Sequence, residues 1–325
     1  MLTRAERPAT VVCLGEILVD AHPGGCETPG GAPANVACHV ATLGCRAALV
    51  SRVGSDARGA RLQAWLEQIG VDVSALTVDA AQPTGFVRVS ISDRGPAYEI
   101  AAPAAWDFLR ADAAARAAVC SAGVVVLGTL GQRHPVARAA IRQLVEEARG
   151  NGAHILADLN LRPPFFDQET ILWSLRHANV LKLNTDELRT VSGLLGARGE
   201  TLDLWTGLLR EFGLCRSVLT DGAAGSWIFE DETLHHEPAC PVEVADTVGA
   251  GDACTAVLAT ALANGLTLRH AAPWAAEVAA FVASQPGATP ALPPQLAGSV
   301  RAALQPPPAG RSFPRSPSVP PQTKV

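Results

Sequence analysis

The chain has 325 residues, 48% of them hydrophobic and 18% charged, enough to bury one large α/β core or two smaller ones. Its formal net charge of −5 excludes a general electrostatic attraction to nucleic acid or to an anionic membrane surface. The eight cysteines form no C-x-x-C pair and no Cys/His spacing of a zinc site, so they read as reduced, apolar residues of a cytoplasmic protein.

In chain order, a nine-residue extension leads into the strand-like run "TVVCLGEILVD", too short and too broken by Glu16 for a signal peptide or a membrane span. "ANVACHVATLG" reads as a helix, "AALVSRVG" as a strand and "ARGARLQAWLEQIG" as an amphipathic helix. "TGFVRVSISDRGPAYEIAA", Thr84 to Ala102, alternates with period two around an Asp-Arg-Gly-Pro turn, which predicts a hairpin with a solvated face. The strand–helix rhythm returns in "AGVVVLGTLG", "HPVARAAIRQLVEEARGNG", "HILADLN" and "ANVLKLNTDEL". Continuous apolar strands alternating with amphipathic helices predict a mainly parallel sheet covered on both faces, with ligands at the carboxyl ends of its strands. The Pro/Ser-rich end, "QPPPAGRSFPRSPSVPPQTKV", has no hydrophobic period and reads as a flexible tail, given bounds of 298 to 325.

The most informative stretch is "DTVGAGDAC", Asp246 to Cys254, placed between a strand-like run, Val242 to Ala245, and a helix expected to begin near Ala253. Free N–H groups in the first turn of a helix attract an anion, and small residues let it approach. Val248, Gly249, Ala250 and Gly251 therefore suit a bare anion cradle. An acid such as Asp252 in that turn is explained by the helix dipole alone, worth about 0.3–1 kcal/mol. Beside a phosphate cradle it is also placed to take a hydroxyl proton, a role worth about 10²–10⁴-fold in rate.

"DTVGAGDAC" resembles the second signature, D-T-x-G-A-G-D, of the ribokinase-like (PfkB) carbohydrate kinases. "PGGAPANVACHVATLG" resembles the family's sugar-binding region in the form seen in fructokinases. "LGEILVD", "SRVGSDARG", "DLNLRPP", "LNTDE", "LTDGAAGS" and "GATPALP" match in order, so that the resemblance covers about residues 10 to 295. It implies a three-layer α/β/α ribokinase-like fold over 10–297, with a mainly parallel central sheet and a small β-sheet lid from about 15–27 and 84–102. It also implies ATP-dependent phosphoryl transfer to a sugar, fructose first, with Mg2+ and a monovalent cation such as K+ as cofactors. A homodimer formed through the lid is a further expectation.

The resemblance implies roles residue by residue. Asp252 is the general base, and Gly249, Ala250 and Gly251 form the anion hole. Asp20 holds sugar hydroxyls, Gly30 and Gly31 bring backbone close to the sugar, Asn35 matches a hydroxyl pair, and Arg162 contacts the acceptor or the transferred group. Asn184 and Glu187, as N-x-x-E, serve phosphate and magnesium through ordered water, which suits a cation that prefers oxygen ligands and keeps its own waters. Thr220, Gly222 and Gly225 lie on the nucleotide side with Gly251. Asp246 and Thr247 stand where relatives supply ligands to a potassium-like ion. Val248 replaces the usual Thr or Gly, and Ala276 stands where relatives often carry Asn on the adenine side.

Other classes fit less well. "AGVVVLGTLGQRHPVARAA" has only G-x-x-G, not the dinucleotide fingerprint, and the chain has no G-x-x-x-x-G-K-[ST]. No extra cationic pair suggests a sugar-phosphate acceptor. Ribose, 2-keto-3-deoxygluconate and nucleosides stay open as acceptors, as does a non-catalytic sugar or nucleotide sensor. Phe86, Arg88 and the stretch from Tyr98 to Trp106 are expected to select the acceptor.

Overall fold

A computed structural model describes residues 10–92 and 95–305. In strand β1 (Thr10–Leu14), Val11 and Cys13 face one apolar core while Val12 and Leu14 face another, as the two-residue strand period requires. Both faces are thus buried, the condition for a parallel sheet. The chain then bends at Gly15 and leaves the sheet: "TVVCLGEILVD" is two strands, β1 and β2 (Leu18–Ala21), rather than one. Gly15 has a φ of +143°, and a Cβ there would stand 2.8 Å from Pro33 Cγ, so the bend needs glycine.

The remaining strands are β3 (Glu27–Gly30), β4 (Arg46–Gly54), β5 (Leu76–Asp79), β6 (Gly85–Ser92), β7 (Gly95–Ile100), β8 (Val124–Leu127), β9 (His154–Asp158), β10 (Val180–Asn184), β11 (Arg216–Thr220), β12 (Ser226–Glu230) and β13 (Thr233–Glu237). Nine of the strands make one sheet in the order β13-β12-β11-β10-β9-β8-β1-β4-β5, with every pairing parallel except β11–β12 and β12–β13. The other four form a small sheet, β3-β2-β6-β7, in which β6 and β7 are the expected hairpin. The Asp-Arg of its turn lies outside the described residues, as do residues 1–9 and 306–325, which hold nearly all of the Pro/Ser-rich stretch.

Helices α1 (Ala32–Thr42), α2 (Ala57–Ile69), α8 (Ala250–Ala263), α9 (Leu268–Ala283) and α10 (Pro294–Ala303) supply one apolar layer. The other face is covered by α3 (Ala113–Ser121) and α4 (Pro135–Gly150), with α5 (Gln168–His177), α6 (Thr185–Leu194) and α7 (Thr201–Phe212) packed over the far half of the sheet. This is the expected α/β/α sandwich with a small second sheet. α10 carries chain order past the expected tail boundary at 298, because Val300 and Leu304 are buried against the first layer. No helix among the described residues is long and apolar enough to cross a membrane.

Two local expectations fail. Val242 to Ala245 is not a strand: the N–H groups of Ala245 and Asp246 both donate to Ala283 O at the end of α9, and Val242 and Val244 are exposed, so no ladder or apolar face holds the run extended. α8 begins at Ala250, not near Ala253, because Gly249 takes the left-handed conformation at its N-cap and starts the helix three residues earlier.

Candidate active site

The start of α8 is the organising feature. With Gly249 as N-cap, Ala250, Gly251 and Asp252 are its first three residues, whose N–H groups lie beyond the reach of intrahelical acceptors. This puts the positive end of the helix dipole and these donors at the residues that the sequence reading names as the anion cradle. Asp252, half-buried here, accepts a 2.8 Å hydrogen bond from Asn35 Nδ2 of α1. Burial pushes the Asp252 carboxyl up to about 6; the Asn35 bond, Lys182 and Arg162 pull against this, while Asp158 adds to it. A carboxylate held near neutrality beside an anion cradle is suited to accept a proton at ordinary pH.

α1 is brought to Asp252 by Gly31. Its φ is +104°, and a Cβ would stand 2.7 Å from Glu16 O and 3.0 Å from Ile17 Cα, so only glycine lets the helix begin against the β1–β2 bend. Gly30 is the neighbouring close approach: a Cβ there would lie 2.4 Å from Asp20 Oδ2. Asp20 is on β2 of the small sheet rather than at the end of the first strand, since the chain has already turned out at Gly15. Burial raises its carboxyl, opposed by His22 and Arg162. Exposed Arg162 follows β9 and its charge reaches Asp20, Glu16 and Asp252, while Gly30 packs on Asp20 and Asn35 bonds Asp252.

The nucleotide-side residues gather at the adjoining strand ends. Asn184 and Thr220 are register partners at the carboxyl ends of β10 and β11. Gly222 and Gly225 shape the turn into β12; a Cβ on Gly225 would meet Glu237 O at 2.2 Å. Asn184 and Glu187 form a reciprocal cap at the start of α6: Glu187 N donates to Asn184 Oδ1 at 2.8 Å and Asn184 N donates to Glu187 Oε2 at 2.9 Å. Leu161 N donates to Glu187 Oε1 at 2.8 Å, so the same carboxylate ties the Arg162 loop to α6. Asp246 is half-buried and clamps two loops, accepting from Val248 N at 3.0 Å and from Gly287 N at 3.2 Å, while Thr247 is exposed.

Residues 16–295 match the description "pfkB family carbohydrate kinase". The chain belongs to that family. It is 30% identical over 302 residues to fructokinase from Escherichia coli, covering 88% of this chain and 96% of that protein. The crystal structure of fructokinase with bound ATP from Xylella fastidiosa aligns with a TM-score of 0.83 at 23% identity, over 90% of this chain and 98% of that one. Fructokinase from Vibrio cholerae O395 in its fructose, ADP and calcium ion bound form aligns with a TM-score of 0.78 at 25% identity, over 92% and 99%.

For a pfkB kinase the sequence reading omitted several residues of this site. Beneath the cradle, buried Lys182 Nζ donates to both oxygens of buried Asp158, at 3.1 and 2.9 Å, and Thr255 Oγ1 donates to Asp158 Oδ2 at 2.6 Å. Lys182 Nζ stands 3.2 Å from where a Cβ on Gly251 would be. Burial works against the lysine's charge, but Asp158 prevails and holds the ammonium above the ordinary lysine range. A charged residue inside "VLKLN", a strand otherwise apolar until Asn184, was the available signal, and Asp158 stood unassigned in "DLNLRPP". His39 was also passed over: its Nε2 lies 3.0 Å from Ala288 O, which packs on Gly249.

Proposed function

We propose that the protein transfers the γ-phosphoryl group of ATP to a hydroxyl of a neutral sugar, fructose first, giving fructose-6-phosphate and ADP. The observation that carries this reading is Asp252, at the third position of α8, hydrogen-bonded to Asn35 and set in the first turn of a helix whose N–H groups have no intrahelical acceptor. The resemblance of the chain to fructokinases over nearly their whole length supports the choice of acceptor.

In this mechanism Asp20, Gly30, Gly31 and Asn35 hold the sugar, and Asp252 takes the proton of the hydroxyl whose oxygen bonds to the γ-phosphorus. The bond to the ADP oxygen breaks as the new one forms, and charge on the transferring group is met by the N–H groups of Gly249, Ala250 and Gly251 and by Arg162. Asn184, Thr220, Gly222, Gly225 and Gly251 border the nucleotide. Glu187 and Asn184 fit a magnesium ion held through water. Each Glu187 oxygen accepts one backbone N–H and keeps a lone pair for such a water. Magnesium, when bound, would supply neutralisation of phosphate charge. Asp246, Thr247 and the loop carbonyls around Gly287 are the proposed place of a monovalent cation, whose effect would pass to the cradle through the 246–249 segment.

The test is ADP formation with Mg-ATP, with and without K+, over fructose, ribose, glucose, 2-keto-3-deoxygluconate, fructose-6-phosphate and adenosine, with Asp252→Asn in parallel. Fructose-dependent turnover, falling by about 10²-fold or more in the variant, is expected. If no acceptor stimulates ADP formation although ATP binds, the kinase reading is wrong and a binding role takes its place.

A further inference from the structure

Glu16 sits in the β1–β2 bend between Gly15 and Ile17, and it is 3% exposed. Its Oε2 has no hydrogen-bond partner among the described residues. A buried carboxylate oxygen left unpaired is costly to the fold, and an unpartnered one points to a group that completes it. Glu16 lies beside the glycines that start α1 and follow β8. Its backbone oxygen is what a Cβ on Gly31 would strike, and its Oε2 lies 3.6 Å from where a Cβ on Gly131 would stand. Asp252 of α8 and Arg162 of the loop after β9 are the charged groups whose fields reach its carboxyl.

A second unpartnered atom points the same way. Asn35 is 4% exposed; its Nδ2 is spent on Asp252, and its Oδ1 has no partner among the described residues. Glu16 Oε2, Asn35 Oδ1 and the Asp20 carboxylate are all acceptors, so the missing ligand must bring several donors. A vicinal polyol does this and an anion does not. Arg162 is the one cation whose charge reaches all three carboxyls, Glu16, Asp20 and Asp252, so negative charge outnumbers it there and disfavours a carboxylate or phosphate on the acceptor.

The geometry points to Glu16 as an acceptor-binding and specificity-determining residue, receiving a hydroxyl of a neutral polyhydroxylated substrate at Oε2 and excluding anionic sugars. This rests on the kinase reading above and narrows it. Burial pushes the Glu16 carboxyl up to about 7; its own N–H lowers it, Asp252 raises it, and Arg162 and the N–H of Ala32 lower it. A donating hydroxyl would likewise favour the charged form.

The experiment compares wild type, Glu16→Gln and Glu16→Asp with fructose, 2-keto-3-deoxygluconate and fructose-6-phosphate as acceptors, recording KM for ATP and the thermal midpoint beside each. Glu16→Gln keeps length and loses charge: its fructose KM should rise about tenfold, and its preference for fructose over the two anions should shrink. Glu16→Asp keeps charge and withdraws the oxygen: its fructose KM should rise while rejection of the anions stays. KM for ATP should hold within about twofold in both, whereas a merely structural role would move every constant together. Unchanged fructose KM and unchanged anion rejection in both variants would overturn the assignment while leaving the kinase reading intact. So would a wild-type enzyme that prefers either anion. Wild-type protein that forms no ADP with any acceptor overturns both readings.

Discussion

Asn35 and Asp252, 217 positions apart in the chain, are joined by a 2.8 Å hydrogen bond that ties the first turn of α1 to the first turn of α8. On the proposed mechanism, this bond lets the residue assigned to the acceptor also govern the protonation of the assigned base. Burial raises Asp252 and the Asn35 N–H pulls it back. In wild type kcat/KM should therefore fall as pH drops through about 6, where the base takes its proton. Asn35→Ala removes the lowering contribution, so the acid limb should move to higher pH, in addition to a raised sugar KM. A pH–rate profile of the two proteins from pH 5 to 9 checks this. An acid limb that stays in place while KM alone rises would show that the bond does not tune the base.

The same shift has a consequence for stability. Asp252 rises from an ordinary carboxylate value of 3.8 to about 6 in the folded chain, which means the fold prefers its neutral form. At pH below about 4 the group is neutral folded and unfolded, and costs nothing. Above about 6 it is charged in both, and the fold carries the whole penalty, at most about 3 kcal/mol for a half-buried group with this shift. Asp252→Asn should thus lose turnover and gain stability, with a thermal midpoint a few degrees above wild type at pH 8. The gain should stay level down to about pH 6 and shrink from there toward pH 4. Thermal unfolding in the absence of ligands at four pH values is the measurement, and a gain independent of pH would count against a charge penalty as its cause.

The layered fold was legible because parallel strands buried on two faces write continuous apolar runs, as in β1, β8 and β9. The glycine turn into α8 was legible because bare backbone needs a run of small residues that few other structures demand. What stayed hidden depends on contacts between distant segments. Nothing near Glu16 in sequence shows that it is turned inward, because Gly131 packs beside it from far along the chain. Lys182 and Asp158 pair across neighbouring strands, β10 and β9, a contact set by register alone. The expected strand at Val242 to Ala245 failed for the converse reason: its alternation had no neighbouring strand to meet.

The Asp158–Lys182 pair sets the next expectation. Removing one partner of a buried ion pair leaves an uncompensated charge, at a cost of about 3–5 kcal/mol, whereas removing both is often nearly neutral. Lys182→Met should lower urea stability by that amount and strand Asp158 with only the Thr255 hydroxyl. The double variant Lys182→Met/Asp158→Leu should recover most of the loss. Because Asp158 raises Asp252 and Lys182 lowers it, the single variant should also shift the acid limb of kcat/KM upward, and the double variant should bring it back. Equal destabilisation in single and double variants would mean that the two side chains act by packing and not as a pair.

Gly249 gives the sharpest steric expectation. Its φ of +81° lies in the left-handed region, and a Cβ would stand 2.3 Å from Ala288 O and 2.5 Å from Ala288 Cα, both backbone atoms. Ala288 has little freedom to yield, since its carbonyl oxygen is also held 3.0 Å from the buried His39 ring on α1. Gly249→Ala must therefore displace the first turn of α8, and with it both the cradle and Asp252. Loss of donor alignment of that kind is worth about 10²-fold in kcat. Gly213→Ala is the matched control: its φ of +64° is also left-handed, but it caps α7 and nothing lies within 4 Å of the added carbon. It should cost about 1–2 kcal/mol in stability and leave kcat unchanged. Steady-state kinetics and thermal unfolding of both variants distinguish the two effects, and a Gly249→Ala enzyme with wild-type kcat would show that the N-cap does not set the cradle.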